Sequence, residues 1–219
     1  MNRRTLVLST AIVAAGAFGG ATWWANRPVP SQSAGTVAPD ILRMLERPYS
    51  PVLGPQDAPV TIVEFFDPAC EACRAFHPIV KDIMAQYPDE VRVLIRYTPF
   101  HGEGSEAAIK TLEAARLQGV FVPVLEALLE RQNLRASHGA PAAERIMTIA
   151  GSVGLDVEAG ESQIRMPDIV AVLNQDRSDV EAIGIRQTPT FFVNGKPLDP
   201  FGADELRRLV AAEVAAAPG

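Results

Sequence analysis

Cys70-Glu71-Ala72-Cys73 holds both cysteines of the chain. The run before it, Pro59-Val60-Thr61-Ile62-Val63-Glu64-Phe65-Phe66, is apolar and β-branched, as a buried strand requires. The run after it, Cys73 to Gln86, has the spacing of a helix. A cysteine where a strand hands over to a helix meets unpaired backbone N–H groups and the positive end of the helix dipole. Both favour the thiolate, which is the nucleophilic form of the side chain. A second cysteine one turn on is placed to attack a mixed disulfide formed by the first. The pattern therefore suits reversible disulfide exchange, with Cys70 attacking and Cys73 resolving. Three other readings share the same residues. A structural disulfide closing so short a loop removes little entropy from the unfolded chain and stabilises little. C-x-x-C is also half of a copper or zinc site, for which the remaining candidates are His77, His101 and His138. Two unrelated buried thiols are the third reading.

Other residues with chemistry sit on the same predicted elements. Glu64 interrupts the apolar strand, where a carboxylate is costly unless paired or protonated; the opposite face of the strand would instead turn it to solvent. Phe65, Phe66, Phe191 and Phe192 read as core.

The elements around this pair predict an α/β domain. Strands are expected at Thr61 to Phe66, Val91 to Tyr97, Thr190 to Val193 and Lys196 to Leu198, with Asn194-Gly195 as a two-residue hairpin turn. Helical spacing recurs at Ala107 to Leu117, Val122 to Gln132 and Ala142 to Ile149, and again at Ala203 to Ala216. The domain thus carries a helical insertion at about 103–180.

The N-terminus reads differently. Arg3 and Arg4 precede an uncharged stretch from Thr5 to Ala25, long enough to span a bilayer as a helix. Arginines on that side favour export of the remainder, and Trp23-Trp24 close the segment where aromatic rings prefer the headgroup level. Residues 1–25 are therefore expected to be a membrane anchor, or a signal segment if cleaved. Residues 26–47 read as a linker and 48–219 as the folded domain. A net charge of −6 and a pI near 5.1 exclude the electrostatic footprint of a nucleic-acid binder.

Three segments resemble one family. Val63-Glu64-Phe65-Phe66-Asp67-Pro68-Ala69-Cys70-Glu71-Ala72-Cys73 looks like the active-site strand and turn of the DsbA-like thiol-disulfide oxidoreductases, in the thioredoxin superfamily. Gln187-Thr188-Pro189-Thr190-Phe191-Phe192-Val193-Asn194-Gly195 is similar to the family's cis-proline loop. Arg96-Tyr97-Thr98-Pro99-Phe100-His101 resembles the entry to its helical insertion. The resemblance implies a thioredoxin-like fold, with Pro189 facing the cysteines and Thr188 placed beside the sulfurs. It implies Glu64 as the buried acid that relays a proton to the resolving thiol. Function follows in the same terms: an extracytoplasmic oxidoreductase acting on cysteine-containing proteins, with a membrane redox partner of DsbB or DsbD type and no cofactor. Glu71-Ala72 departs from the proline or histidine often found between the family's cysteines, and an acidic neighbour predicts a more reducing pair than that of DsbA. A metal carrier and a non-redox peptide-binding chaperone are the rival functions.

Overall fold

The computed structural model of the protein describes residues 35–132 and 142–217. The chain divides into Met1–Ser33 and Ala34–Gly219, and the fold concerns the second unit. The apolar segment Thr5 to Ala25, the first part of the linker, Pro141 and His138 lie outside the described residues. Among the described residues no helix is long and apolar enough to cross a membrane.

A sheet with strand order β1-β3-β2-β4-β5 forms the centre. Its strands are β1 (Val52–Leu53), β2 (Val60–Phe66), β3 (Val91–Tyr97), β4 (Thr190–Val193) and β5 (Lys196–Pro197). β2 and β3 are parallel, while β1 on β3, β4 on β2 and β5 on β4 are antiparallel. β2 is buried at every residue because both faces are covered. The pleat sends Val60 and Ile62 towards Val80, Ile83, Leu206 and Val210. It sends Val63 and Phe65 the other way, towards Leu45, Val180 and Ile185. The helices that supply these layers are α1 (Pro39–Leu45), α2 (Glu71–Gln86), α7 (Pro167–Ile183) and α8 (Ala203–Ala216).

The insertion comprises α3 (Glu103–Leu117), α4 (Phe121–Glu130), α5 (Ala142–Gly151) and α6 (Val157–Gln163) before α7 returns to the sheet. It builds its own core from Ile109, Leu112, Val124, Leu128, Ile146 and Ala150, continuous with Phe66, Cys70 and Cys73. The cysteine pair therefore sits on the seam between insertion and sheet. Gly184, at φ 83°, ends α7 in the left-handed conformation that glycine adopts without strain. Asn194 (φ 48°) and Gly195 (φ 75°) form the turn into β5, as the dipeptide predicts.

Residues 39–45, which composition places in the linker, form α1 with Leu45 fully buried. Pro39 opens this helix at a position where its missing N–H costs nothing. Val37 N–H donates to the Gly195 carbonyl at 2.9 Å. The reason lies in Arg96, a fully buried cation in the middle of β3. Its guanidinium donates to the Met44 carbonyl, to the Leu45 carbonyl at 2.9 Å, to Asp176 at 2.8 Å and to Asp179 at 2.6 Å. Arg47 reaches Asp179 at 2.6 Å and Tyr49 Oη donates to Asp176 at 2.7 Å. A buried charge persists only when its donors are matched. Here α1 and α7 supply the acceptors together.

Candidate active site

The turn that carries the cysteines is shaped by Asp67, a fully buried carboxylate at the end of β2. Its Oδ1 accepts from Ala69 N–H at 2.8 Å and Ser105 Oγ at 2.7 Å. Its Oδ2 accepts from the N–H groups of Phe100 at 2.8 Å and His101 at 3.1 Å, with the His101 ring Nδ1 at 2.7 Å. One side chain thus ties the turn to the loop after β3 and to the start of α3. Cys70 N–H closes the turn on the Asp67 carbonyl at 3.0 Å.

α2 begins at Glu71 and not at Cys73, so Cys70 is its N-cap, with extended backbone (φ −80°, ψ 124°). The helix runs through Pro78 and continues to Gln86. Cys70 and Cys73 are both free thiols. Cys70, at the helix start, is the more exposed of the two. The structure gives it 6% exposure, because the loop before β4 folds over it. Its Sγ donates to the Thr188 carbonyl at 3.2 Å, and the Thr188–Pro189 peptide bond is cis. Thr188 and Pro189, remote in sequence, are thereby placed on the sulfur, with Thr188 in contact through its carbonyl and not its hydroxyl.

Cys73 is completely buried and accepts a long hydrogen bond from Asp67 N–H at 3.5 Å. Burial pushes its thiol far above the ordinary range, and the Glu64 charge and the Cys70 side chain act in the same direction, opposed by the Asp67 N–H. Glu64 faces inward at 4% exposure. Burial pushes its carboxyl up to about 8, and its Oε1 has no hydrogen-bond partner among the described residues. The two buried groups act on each other electrostatically, since the Glu64 charge is among the causes that raise the Cys73 thiol.

That burial makes a stability prediction. Below pH ~4.5 both folded and unfolded Glu64 hold their proton, so the residue costs the fold nothing. As pH rises towards 8 the unfolded chain releases the proton while the folded state keeps it, and stability falls; above 8 the loss is constant. Glu64→Gln should therefore stabilise the reduced protein by on the order of 3 kcal/mol at pH 7 and by almost nothing at pH 4. Urea unfolding at several pH values checks this. A gain that does not widen between pH 5 and 8 rules the assignment out.

Two contributors carried weak sequence signals. Asp67 is an acid at a strand end followed by proline, which marks a turn but not its five donors. Gln132, after α4, donates from Nε2 to the Pro68 carbonyl at 2.9 Å and the Cys70 carbonyl at 3.0 Å; nothing in its local sequence signals that contact. His77 lies in a groove with Arg74, Pro78, Lys81 and Glu126. Burial, then the Lys81 charge, pushes its imidazole below the ordinary value. Among the described residues no group of three or more His, Cys, Asp or Glu side chains is placed to hold a metal ion.

Comparison with known proteins agrees with this architecture. The thioredoxin family model matches residues 46–212. A thioredoxin-like oxidoreductase from Silicibacter pomeroyi superposes with a TM-score of 0.69 at 28% identity, covering 83% of this chain and 100% of that one. Oxidised BdbD from Bacillus subtilis superposes with a TM-score of 0.68 at 25% identity, covering 83% and 97%. In sequence, the chain is 33% identical over 179 residues to a protein named Na(+)/H(+) antiporter NhaA from Herminiimonas arsenicoxydans. That match covers 80% of this chain and 28% of the relative. A similarly named protein from Mycolicibacterium gilvum is 30% identical over 198 residues, covering 87% and 30%. The chain spans less than a third of the length of these two relatives. With the family model spanning residues 46–212 and both superpositions covering 83% of its length, the chain belongs to the thioredoxin family, with DsbA-like architecture.

Proposed function

We propose that the protein is an extracytoplasmic thiol-disulfide oxidoreductase that exchanges disulfides with cysteine-containing proteins through Cys70 and Cys73. The observation that carries this reading is the seating of Cys70 Sγ on the carbonyl that precedes cis-Pro189. An extended substrate segment pairing with that loop as an added strand offers an N–H to the Thr188 carbonyl. It thereby displaces the Cys70 thiol from its acceptor at the moment a target sulfur arrives. A groove of about 630 Å³ bounded by Pro99, Phe100, Val180, Ile185 and Arg186 opens at the start of the same loop and has room for flanking side chains.

In the proposed cycle Cys70 thiolate attacks a substrate disulfide, a mixed disulfide forms and one substrate sulfur leaves. Cys73 then attacks Cys70 Sγ, releasing the second substrate thiol, with the deprotonated form of Glu64 taking the proton from Cys73. The reverse sequence introduces a disulfide. The dithiol carries the electrons, so no cofactor is invoked. Residues 1–25 are proposed as a membrane anchor or signal that places the domain on the periplasmic side of a bacterial inner membrane, where a DsbB- or DsbD-type partner would reset the pair.

The pair is proposed to be more reducing than that of DsbA, about −120 mV. Glu71, exposed in the first turn of α2, places a like charge beside the reduced, anionic form of the centre. Glu71→His should shift the potential upward. Equilibration with glutathione buffers, together with insulin reduction by the dithiol form, tests both statements. Absence of any exchange with glutathione or insulin overturns the function; a DsbA-like potential unchanged by Glu71→Gln overturns the poise.

A further inference from the structure

The helical insertion reaches into the active-site turn through one side chain. Gln132 is buried, at 8% exposure, and follows the end of α4. Its amide nitrogen donates to the carbonyls of Pro68 and Cys70, residues 64 and 62 positions away. The two N–H groups of one planar amide match two carbonyls of one turn, which fixes the rotamer: the flipped amide would set Oε1 against both oxygens. Oε1 itself is buried without a partner among the described residues, so the amide is held by its donor end. The Cys70 carbonyl also accepts the first helical bond of α2, from Arg74 N–H at 3.2 Å. Gln132 thus grips the peptide group of the residue that bears the reacting sulfur, at the point where extended backbone turns into helix.

Resting on the disulfide-exchange reading, we propose that Gln132 is a positioning residue for the second half of the reaction. In the mixed disulfide, Cys73 Sγ must approach Cys70 Sγ in line with the bond to the departing substrate sulfur. Rotation of the Cys70 backbone swings that S–S bond out of line. The first attack makes no such demand, because a substrate strand that takes over the Thr188 carbonyl frees the Cys70 sulfur and brings its own disulfide into line with it. Fixing Cys70 from two sides, by Arg74 N–H and by the Gln132 amide, therefore bears on resolution more than on initial attack. Both ends of the step balance. The Cys70–Cys73 bond forms as the Cys70–substrate bond breaks, the protein dithiol is oxidised, and the substrate sulfur leaves as a thiolate that takes up a proton.

The test uses the reduced full-length protein and oxidised glutathione as probe, with acid quenching and mass measurement of the Cys70–glutathione adduct. Wild-type protein should pass through the adduct without accumulating it. Gln132→Met, similar in size but without donors, should form the adduct at a rate within about twofold of wild type and resolve it at least tenfold more slowly, as expected for a displaced reacting group. Gln132→Glu, which sets a carboxylate against the two carbonyls, should accumulate it further. Circular dichroism identifies a variant that has lost its fold, in which case the other decides. Equal slowing of both steps in a folded variant, or resolution at the wild-type rate, overturns the proposal. If Cys73→Ser also forms no adduct, the exchange reading fails instead, and the two failures are distinct.

Discussion

Cys73→Ser protein is expected to accumulate disulfide-linked adducts with substrate proteins, all through Cys70, while Cys70→Ser forms none. Multiple turnover should fall by about 10³-fold or more in Cys73→Ser, because resolution by a neighbouring thiol of high effective concentration is replaced by attack from a dilute external one, and in Cys70→Ser because the attacking thiol is gone. The asymmetry follows from the site. Cys70 keeps a small exposed surface, and its Sγ is held by a hydrogen bond to the Thr188 carbonyl that a substrate strand can replace. Cys73 has no exposed surface, and burial, then the Glu64 charge, hold it in the thiol form. It is expected to react with a sulfur already brought to Cys70 and with nothing in solution. Non-reducing gels with and without dithiothreitol read the outcome directly. Equal adduct formation by the two variants would invert the assignment of roles, and no adducts from either would end it.

Arg96→Met should destabilise the domain by about 3–5 kcal/mol, the usual result of leaving one half of a buried ionic network without the other. Asp176 and Asp179 would face each other with only Arg47, Tyr49, Gln175 and the Tyr97 N–H as partners. Arg96 also stacks over Phe65, its guanidinium carbon 5.8 Å from the ring centroid, so the loss includes packing on the central strand. Against the roughly 5–15 kcal/mol that hold most domains together, this is a large fraction. The melting temperature should fall by about 8–15 °C at this chain length. Neutralising both acids in the same variant, with Asp176→Asn and Asp179→Asn, should recover part of the loss, since the uncompensated charge is removed. Urea denaturation measures each step; a loss below about 1 kcal/mol for Arg96→Met would show that the network is dispensable.

The contrast between these two sites shows what the sequence makes legible. The cysteines, their strand, the helix after them and the Thr188-Pro189 loop are local patterns, each visible within about ten residues. The hairpin at Asn194-Gly195 and the helices of the insertion are equally local. Arg96 reads in sequence as an ordinary strand cation; its partners lie 51 to 83 residues away, and no periodicity encodes that pairing. α1 is only seven residues long and follows a Pro-, Ser- and Gly-rich stretch, so composition places it in the linker. Its order comes from the acceptors it lends to Arg96. The burial of Cys70 was hidden for the same reason, since the lid over it arrives from residue 188. Asp67 and Gln132 act through backbone groups of the turn, and backbone acceptors leave no trace in side-chain pattern.

Both flanks of the sheet are two residues wide: Val52–Leu53 on one side and Lys196–Pro197 on the other. The second of these ends in a residue that has no N–H to give. Long bare flanks are where foreign extended chains add on and where aggregates begin. A protein proposed to handle partly unfolded, cysteine-bearing chains meets such segments continually. Its sheet offers them almost no template. In the proposed reading visiting polypeptide is left with one short rail of backbone, at Thr188, whose carbonyl already holds the sulfur. Capture and chemistry would thereby be confined to the same few ångströms.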